Sequence, residues 1–209
     1  TATDASNNSA TCSMTVTVTD QTAPSLTCPA NATLAAGLNC TASLASYTSV
    51  ATSSDNCSQN LTLTQNPTAG TILNLGATTV TLTASDAAAN TATCAFAVTL
   101  TDQTAPSITC PANTAVTADL AGNYTLVSFT GAATAMDNCT ANPAKTQSPT
   151  AGAVLTVGMH ILTLTATDGV GLTSTCSFTL TVQPGCAAPT ISCPANAVVS
   201  AGANCSATL

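Results

Sequence analysis

The sequence predicts an all-β chain of tandem antiparallel β-sandwich modules, each about 82 residues long and stapled by disulfides. Three observations predict it. Cysteines recur at one period: Cys12, Cys94 and Cys176 lie 82 apart, as do Cys57 and Cys139, while Cys28, Cys110 and Cys193 are spaced by 82 and 83. Apolar residues alternate with Thr and Ser in short runs bounded by Gly, Pro, Asn and Asp, the period of a half-buried strand. No segment carries a helical period.

The stretch from Asp86 to Asn113 defines the join between modules. It occurs earlier from Asp4 to Asn31 and returns, altered, from Asp168 to Asn196. Each copy reads as a last strand, a linker with proline, and the first strand of the next module. The expected division is 1–22, the end of one repeat; 23–104 and 105–187, two complete repeats; and 188–209, the start of another. Thr1 corresponds to Thr83 and Leu209 to Leu126, so the chain is expected to be a window on a longer array.

Taken in order, Cys12 to Thr19 alternates Cys12, Met14, Val16 and Val18 with hydroxyl residues and is expected to be a last strand. Its counterparts place Cys94, Phe96, Val98 and Leu100, then Cys176, Phe178, Leu180 and Val182, on an inward face. In the second repeat, Ser107 to Cys110 opens a first strand. Asn123 to Thr130 is another, facing in through Tyr124, Leu126 and Ser128. After the Asp137-Asn138-Cys139 loop come Ala144 to Ser148, a Pro-Thr-Ala-Gly turn at 149–152, and Val154 to Val157. Met159 to Thr167, with Leu162, Leu164 and Ala166 inward, precedes the turn at Asp168. About seven short strands with regular turn signals give an immunoglobulin-like sandwich.

Composition narrows function. The chain has eight Asp, no Glu, a single cation in Lys145, and a net charge of −7. Nucleic-acid binding needs cations to neutralise phosphates, so that class is excluded. No apolar run is long enough to span a bilayer, so membrane insertion is not expected. Eleven cysteines without a CxxC pair indicate disulfides in an oxidising compartment. Thr and Ser supply 63 of the 209 residues, and Trp is absent. Cores built from Val, Leu, Ile and Ala in modules this small need staples.

The residues Asp-Asn-Cys, Gly76-Ala-Thr-Thr-Val-Thr-Leu-Thr-Ala-Ser-Asp86, Thr93-Cys-Ala-Phe-Ala-Val98, Thr-Ala-Pro and Cys-Pro together resemble the hyalin repeat (HYR domain). The likeness covers the whole chain in register and looks most like tandem copies in long secreted surface and adhesion proteins of bacteria (Bacteroidetes type). It implies an immunoglobulin-like fold, an extracellular or cell-surface location, and a role in adhesion or as a spacer. It carries no catalytic residue. One departure is that Gly122 stands where the first repeat has Cys40.

In such a sandwich the first and last strands run parallel, so Cys28–Cys94 and Cys110–Cys176 are expected as core bonds. Pairing Cys94 with Cys110 would need to close a nearly extended path of roughly 50 Å. Cys12, Cys193 and Cys205 belong to truncated repeats and are expected to pair outside this window. Of the other four, Cys40 is expected to pair with Cys57, closing a short loop, and Cys139 with Cys186, two residues left without local partners. The alternatives are a bond to a neighbouring chain or a free thiol at Cys139.

Other chemistry is weighed against simpler roles. His160 is the single histidine, matches Thr78 in the first repeat, and has no oriented triad around it, so no enzyme is expected. Lys145 matches Leu63, which excludes a repeat-wide lysine cross-link. Aspartates recur as Asp4, Asp86 and Asp168 at the turn before the last strand, Asp55 and Asp137 before a cysteine, and Asp20 and Asp102 in the linker. Asp86, Asn90 and Asp102 are candidate calcium ligands; the simpler role is turn capping, and no cofactor is otherwise expected. Eight Asn-x-Ser/Thr motifs include Asn31, Asn60 and Asn123 as glycosylation candidates. The hydroxyl-rich, nearly uncharged surface is expected to carry sugar or to be covered by neighbouring chains.

The expected function is structural: a stalk or filament outside the cell, whose partners are further repeats of the same chain, neighbouring copies and glycans. The alternative is a carbohydrate- or protein-binding adhesion module, calcium-dependent in one version. The lack of Trp, with Tyr47 and Tyr124 expected to face inward, favours the structural role.

Overall fold

The computed structural model describes residues 1–186, 191 and 192. The cysteines Cys193 and Cys205, the motif at Asn196 and the repeat start at 188–209 fall outside them, apart from Thr190's successors Ile191 and Ser192. The chain divides into two compact units. The first comprises Thr1–Thr109, Thr134–Lys145 and Thr165–Thr175; the second comprises Cys110–Ala133, Thr146–Leu164 and the described residues from Cys176 onward.

In the first unit, eight strands run from Ser25–Thr27 to Thr91–Thr101. The long hairpin Gly76–Ser85 and Thr91–Thr101 forms the centre of a four-stranded sheet, flanked by Thr62–Asn66 and by Ala32–Ala35. Alternation sends Val80, Leu82, Ala84, Phe96, Val98 and Leu100 inward, all at most 6% exposed. Short pairs close the opposite side, Ser25–Thr27 with Thr52–Ser54 and Ala42–Ser43 with Ile72–Leu73. Leu44 and Leu73 complete the core, and Tyr47 meets Phe96 edge-on at 4.9 Å.

The first strand is split. Ser25–Thr27 pairs antiparallel with Thr52–Ser54, and only after Cys28-Pro29-Ala30-Asn31 does Ala32–Ala35 pair in parallel with the last strand. The crossing is fastened by Asn31, whose Oδ1 accepts the Ala97 N–H at 2.9 Å. Its counterpart Asn113 accepts the Thr179 N–H at 2.8 Å. This accounts for the recurring Cys-Pro-Ala-Asn motif: proline supplies no donor in the crossing, and the asparagine takes up a strand amide there.

Around the second repeat, Thr114–Thr117, Thr173–Gln183, Gly158–Thr167 and Ala144–Ser148 form the corresponding sheet in the same order. Leu162, Leu164, Ala166, Phe178, Leu180 and Val182 face in, and Phe129 meets Phe178 at 5.2 Å. The strand expected over Asn123 to Thr130 ends at Thr125. Leu126 is buried but Ser128 is exposed, because the chain leaves the sheet and turns through a short 3-10 segment at Thr130–Ala132. Tyr47 likewise lies outside any strand.

That bend is held by a glutamine. Gln147 Oε1 accepts the Phe129 N–H at 2.7 Å, and its Nε2 donates to Val127 O at 3.0 Å. Gln65 does the same for Tyr47 N and Ala45 O. Gln147→Ala is expected to destabilise the repeat by about 2 kcal/mol, because it leaves a partly buried amide unpaired. Urea unfolding of the variant tests this; a midpoint equal to the parent's would refute it.

The stretch from Cys12 to Thr19 is not a strand. Met14, Val16 and Val18 are 86%, 71% and 92% exposed. A strand exists only with a ladder partner, and among the described residues this segment has none. Ahead of it, Ala2–Thr3 and Ser9–Ala10 do pair, around a turn held by Asp4.

Candidate metal centres and the disulfide pattern

Cys28 is bonded to Cys94 and Cys110 to Cys176, each pair 5.7 Å apart at Cα. The third bond joins Cys40 to Cys139, with Cα atoms 4.5 Å apart. Neither Cys40–Cys57 nor Cys139–Cys186 is present: Cys57 and Cys186 are exposed thiols, as is Cys12. Geometry explains the exchange. Cys40 ends the 3-10 turn Leu38–Cys40, and the Asp137-Asn138-Cys139 loop comes to that turn, Asn138 Nδ2 donating to Ala36 O and Gly37 O at 3.2 Å each. The amide of Cys57 donates to Asp55 Oδ2 at 2.9 Å, and its thiol is exposed.

Cys40 has φ +59°, a left-handed conformation that costs a side chain about 1 kcal/mol. Gly122, its counterpart, adopts φ +81° without that cost. The turn itself therefore suits glycine, and the cysteine is carried for its bond.

The aspartates gather in two sets of three. Asp20, Asp55 and Asp86 bring carboxylate oxygens within 4.8 Å of one another, and so do Asp102, Asp137 and Asp168. The two sets are related residue by residue through the 82-residue repeat. Of the candidate ligands, Asp86 and Asp102 thus belong to different sets. Asn90 is in neither: its Nδ2 donates to Asp86 Oδ2 at 2.7 Å and to Asp20 O at 3.3 Å, so it braces the first set. Asp20, Asp55, Asp137 and Asp168 are the members that spacing could have supplied, since each recurs at the common period.

Turn capping occupies one oxygen of each carboxylate. Asp102 Oδ1 accepts from Thr104 N (3.1 Å), Asp137 Oδ2 from Cys139 N (2.8 Å) and Thr140 N (2.7 Å), and Asp168 Oδ1 from Val170 N (2.9 Å) and Leu172 N (2.8 Å). The second oxygens, Asp102 Oδ2, Asp137 Oδ1 and Asp168 Oδ2, are inaccessible and have no hydrogen-bond partner. In the first set Asp20 Oδ2 and Asp55 Oδ1 are in the same state. The Cys57 and Ser58 amides, in that order, hold the Asp55 carboxyl below the usual carboxylate range. Burial, then the charges of Asp20 and Asp55, push the Cys57 thiol up.

Carboxylates gathered this closely repel one another whenever they carry charge. Buried oxygens without partners add a desolvation cost. An all-oxygen, threefold-negative donor set of this kind suits a hard divalent cation of the calcium type.

His160 is half-buried, with Nε2 2.7 Å from Thr156 O. Asn31 is exposed with its Oδ1 engaged on Ala97, Asn60 is exposed, and Asn123 is half-buried at the Asp119 turn. Among the described residues, no helix is long and apolar enough to cross a membrane.

Two segments, 19–100 and 101–182, match the family model described as HYR domain. No curated protein matches the chain in sequence. Among solved structures, the chain is similar to mouse cadherin-23 EC22-24, at 15% identity and TM-score 0.39, over 77% of this chain and 67% of that one. It is similar to Drosophila N-cadherin EC1-4 at 12% identity and TM-score 0.41, covering 78% of this chain and 50% of that one. Human mucin-like protocadherin EC1-2 is similar at 13% identity and TM-score 0.36, over 78% and 98% respectively.

Proposed function

The chain belongs to the HYR domain family, and from that premise we propose that it is part of the shaft of an extracellular stalk or filament, with a mechanical rather than a catalytic role. The observation that supports this most is the Cys40–Cys139 bond, which ties a residue of the first family segment to one of the second. A peptide linker alone transmits tension through one strand of chain. A second covalent tie restrains the swivel of the linker and closes a loop of 99 residues, contributing about 4.7 kcal/mol in the chain-entropy estimate. Such bonds persist in oxidising, extracellular surroundings.

The same tie can propagate. Cys57 stands in the first repeat where Cys139 stands in the second, exposed, in a loop that Asp55 shapes as Asp137 shapes its own. Gly185 approaches Ala118 and Asp119 so closely that a Cβ there would collide with Ala118 O, which puts Cys186 next to the turn where Gly122 replaces a cysteine. Exposed thiols at these two positions support the reading that further repeats of an array are bonded in the same way. Neighbouring copies and glycans on the outward Thr and Ser belong to the same proposal, motivated by the near absence of surface charge.

Peptide mapping of the oxidised chain under non-reducing conditions is expected to link Cys40 to Cys139. In electron micrographs, Cys40→Ser/Cys139→Ser is expected to widen the range of angles between successive repeats. A map linking Cys40 to Cys57, or an angular spread unchanged by the double substitution, would refute the shaft reading.

A further inference from the structure

We propose that Asp102, Asp137 and Asp168 bind a divalent hard cation of the calcium class, and that Asp20, Asp55 and Asp86 form a second, weaker copy of that site. The second-repeat set carries the inference. Asp102 and Asp168 are each 8% exposed; each keeps a buried oxygen with no partner, as does Asp137, and the three carboxylates lie within 4.8 Å of one another. Turn capping explains why these aspartates are present one at a time. It explains neither their convergence nor the unused oxygen on each.

The two sets differ in one informative way. Asn90 spends its amide on Asp86 Oδ2, whereas its counterpart Leu172 has no amide to offer, so Asp168 Oδ2 is left unpartnered. Leucine at 172 would be a loss if the cluster had to be neutralised by hydrogen bonds alone. With a cation present, it frees a donor. Three carboxylates supply part of a shell of six to eight oxygens, which leaves room for carbonyls and water and suits calcium better than the strict octahedron of magnesium. Cation uptake does not depend on the shaft reading, and the disulfide map can fail without affecting it.

The test is calorimetric titration of the chelator-treated 209-residue chain with calcium chloride. Two equivalents are expected, one tighter than the other, with a rise in melting temperature. Asp168→Asn keeps an oxygen for Val170 and Leu172 yet should remove the tighter equivalent; Asp86→Asn should remove the weaker. Asp119→Asn, at an isolated turn, should leave both. Asn90→Leu should tighten the weaker site severalfold. If Asp168→Asn fails to fold, the chelator-dependent fall in melting temperature of the parent remains as the readout. A folded parent that takes up no calcium at millimolar concentration would overturn the proposal, as would uptake that neither Asp168→Asn nor Asp86→Asn alters. Loss of binding with Asp168→Asn alone would uphold the second-repeat site and overturn the copy.

Discussion

Replacing Cys28 and Cys94 together by alanine is expected to lower the stability of the first repeat by about 4 kcal/mol, the chain-entropy value for a closed loop of this length. Their bond spans 66 residues, most of the module. It joins the crossing segment after Ser25–Thr27 to the last strand, so that without it the two faces of the sandwich are held by core contacts alone. That core has one phenylalanine and few side chains larger than leucine. Domains of this size are stable by only about 5–15 kcal/mol, so the loss is a large share of the total. Urea unfolding of the double variant should show a midpoint well below the parent's. An unchanged midpoint would mean that the hydrophobic core, thin as it is, suffices.

Phe96→Ala is expected to cost about 4 kcal/mol, within the range for emptying an aromatic site in a packed core. Phe96 is 6% exposed and sits edge-on to Tyr47, a contact that adds about 1 kcal/mol to the burial. The repeat provides its own control. Phe178 has the same place against Phe129 and is 4% exposed, so Phe178→Ala should cost a similar amount in the second repeat. The two variants should each shift one calorimetric transition and leave the other near its parent temperature. A cost below about 1 kcal/mol for either would show that neighbouring alanines and valines collapse into the space.

Most strands were legible because their information is local. The alternation in Gly76–Ser85 and Thr91–Thr101 states which side chains face in, and the structure buries those residues. The same alternation misled at Cys12 to Thr19, where pattern is present but a ladder partner is not among the described residues. It overextended the strand after Asn123, since nothing near Ser128 signals that Gln147, 18 residues away, will capture the Phe129 amide. The aspartates were visible as three recurring families. Combining Asp86 with Asp102 followed their closeness along the chain, whereas a linker aspartate groups with the turns of the repeat that follows it.

By itself the sequence determined the period, the all-β class, the inward face of each long strand and the Cys28–Cys94 and Cys110–Cys176 placements, because each follows from side-chain alternation and the order of strands. Only the tertiary structure decided that Cys40 bonds Cys139 and that Asp102, Asp137 and Asp168 converge. Those partners sit in turns and loops, whose positions depend on how the chain crosses at the ends of a sandwich. Side-chain periodicity carries no information about which loop meets which.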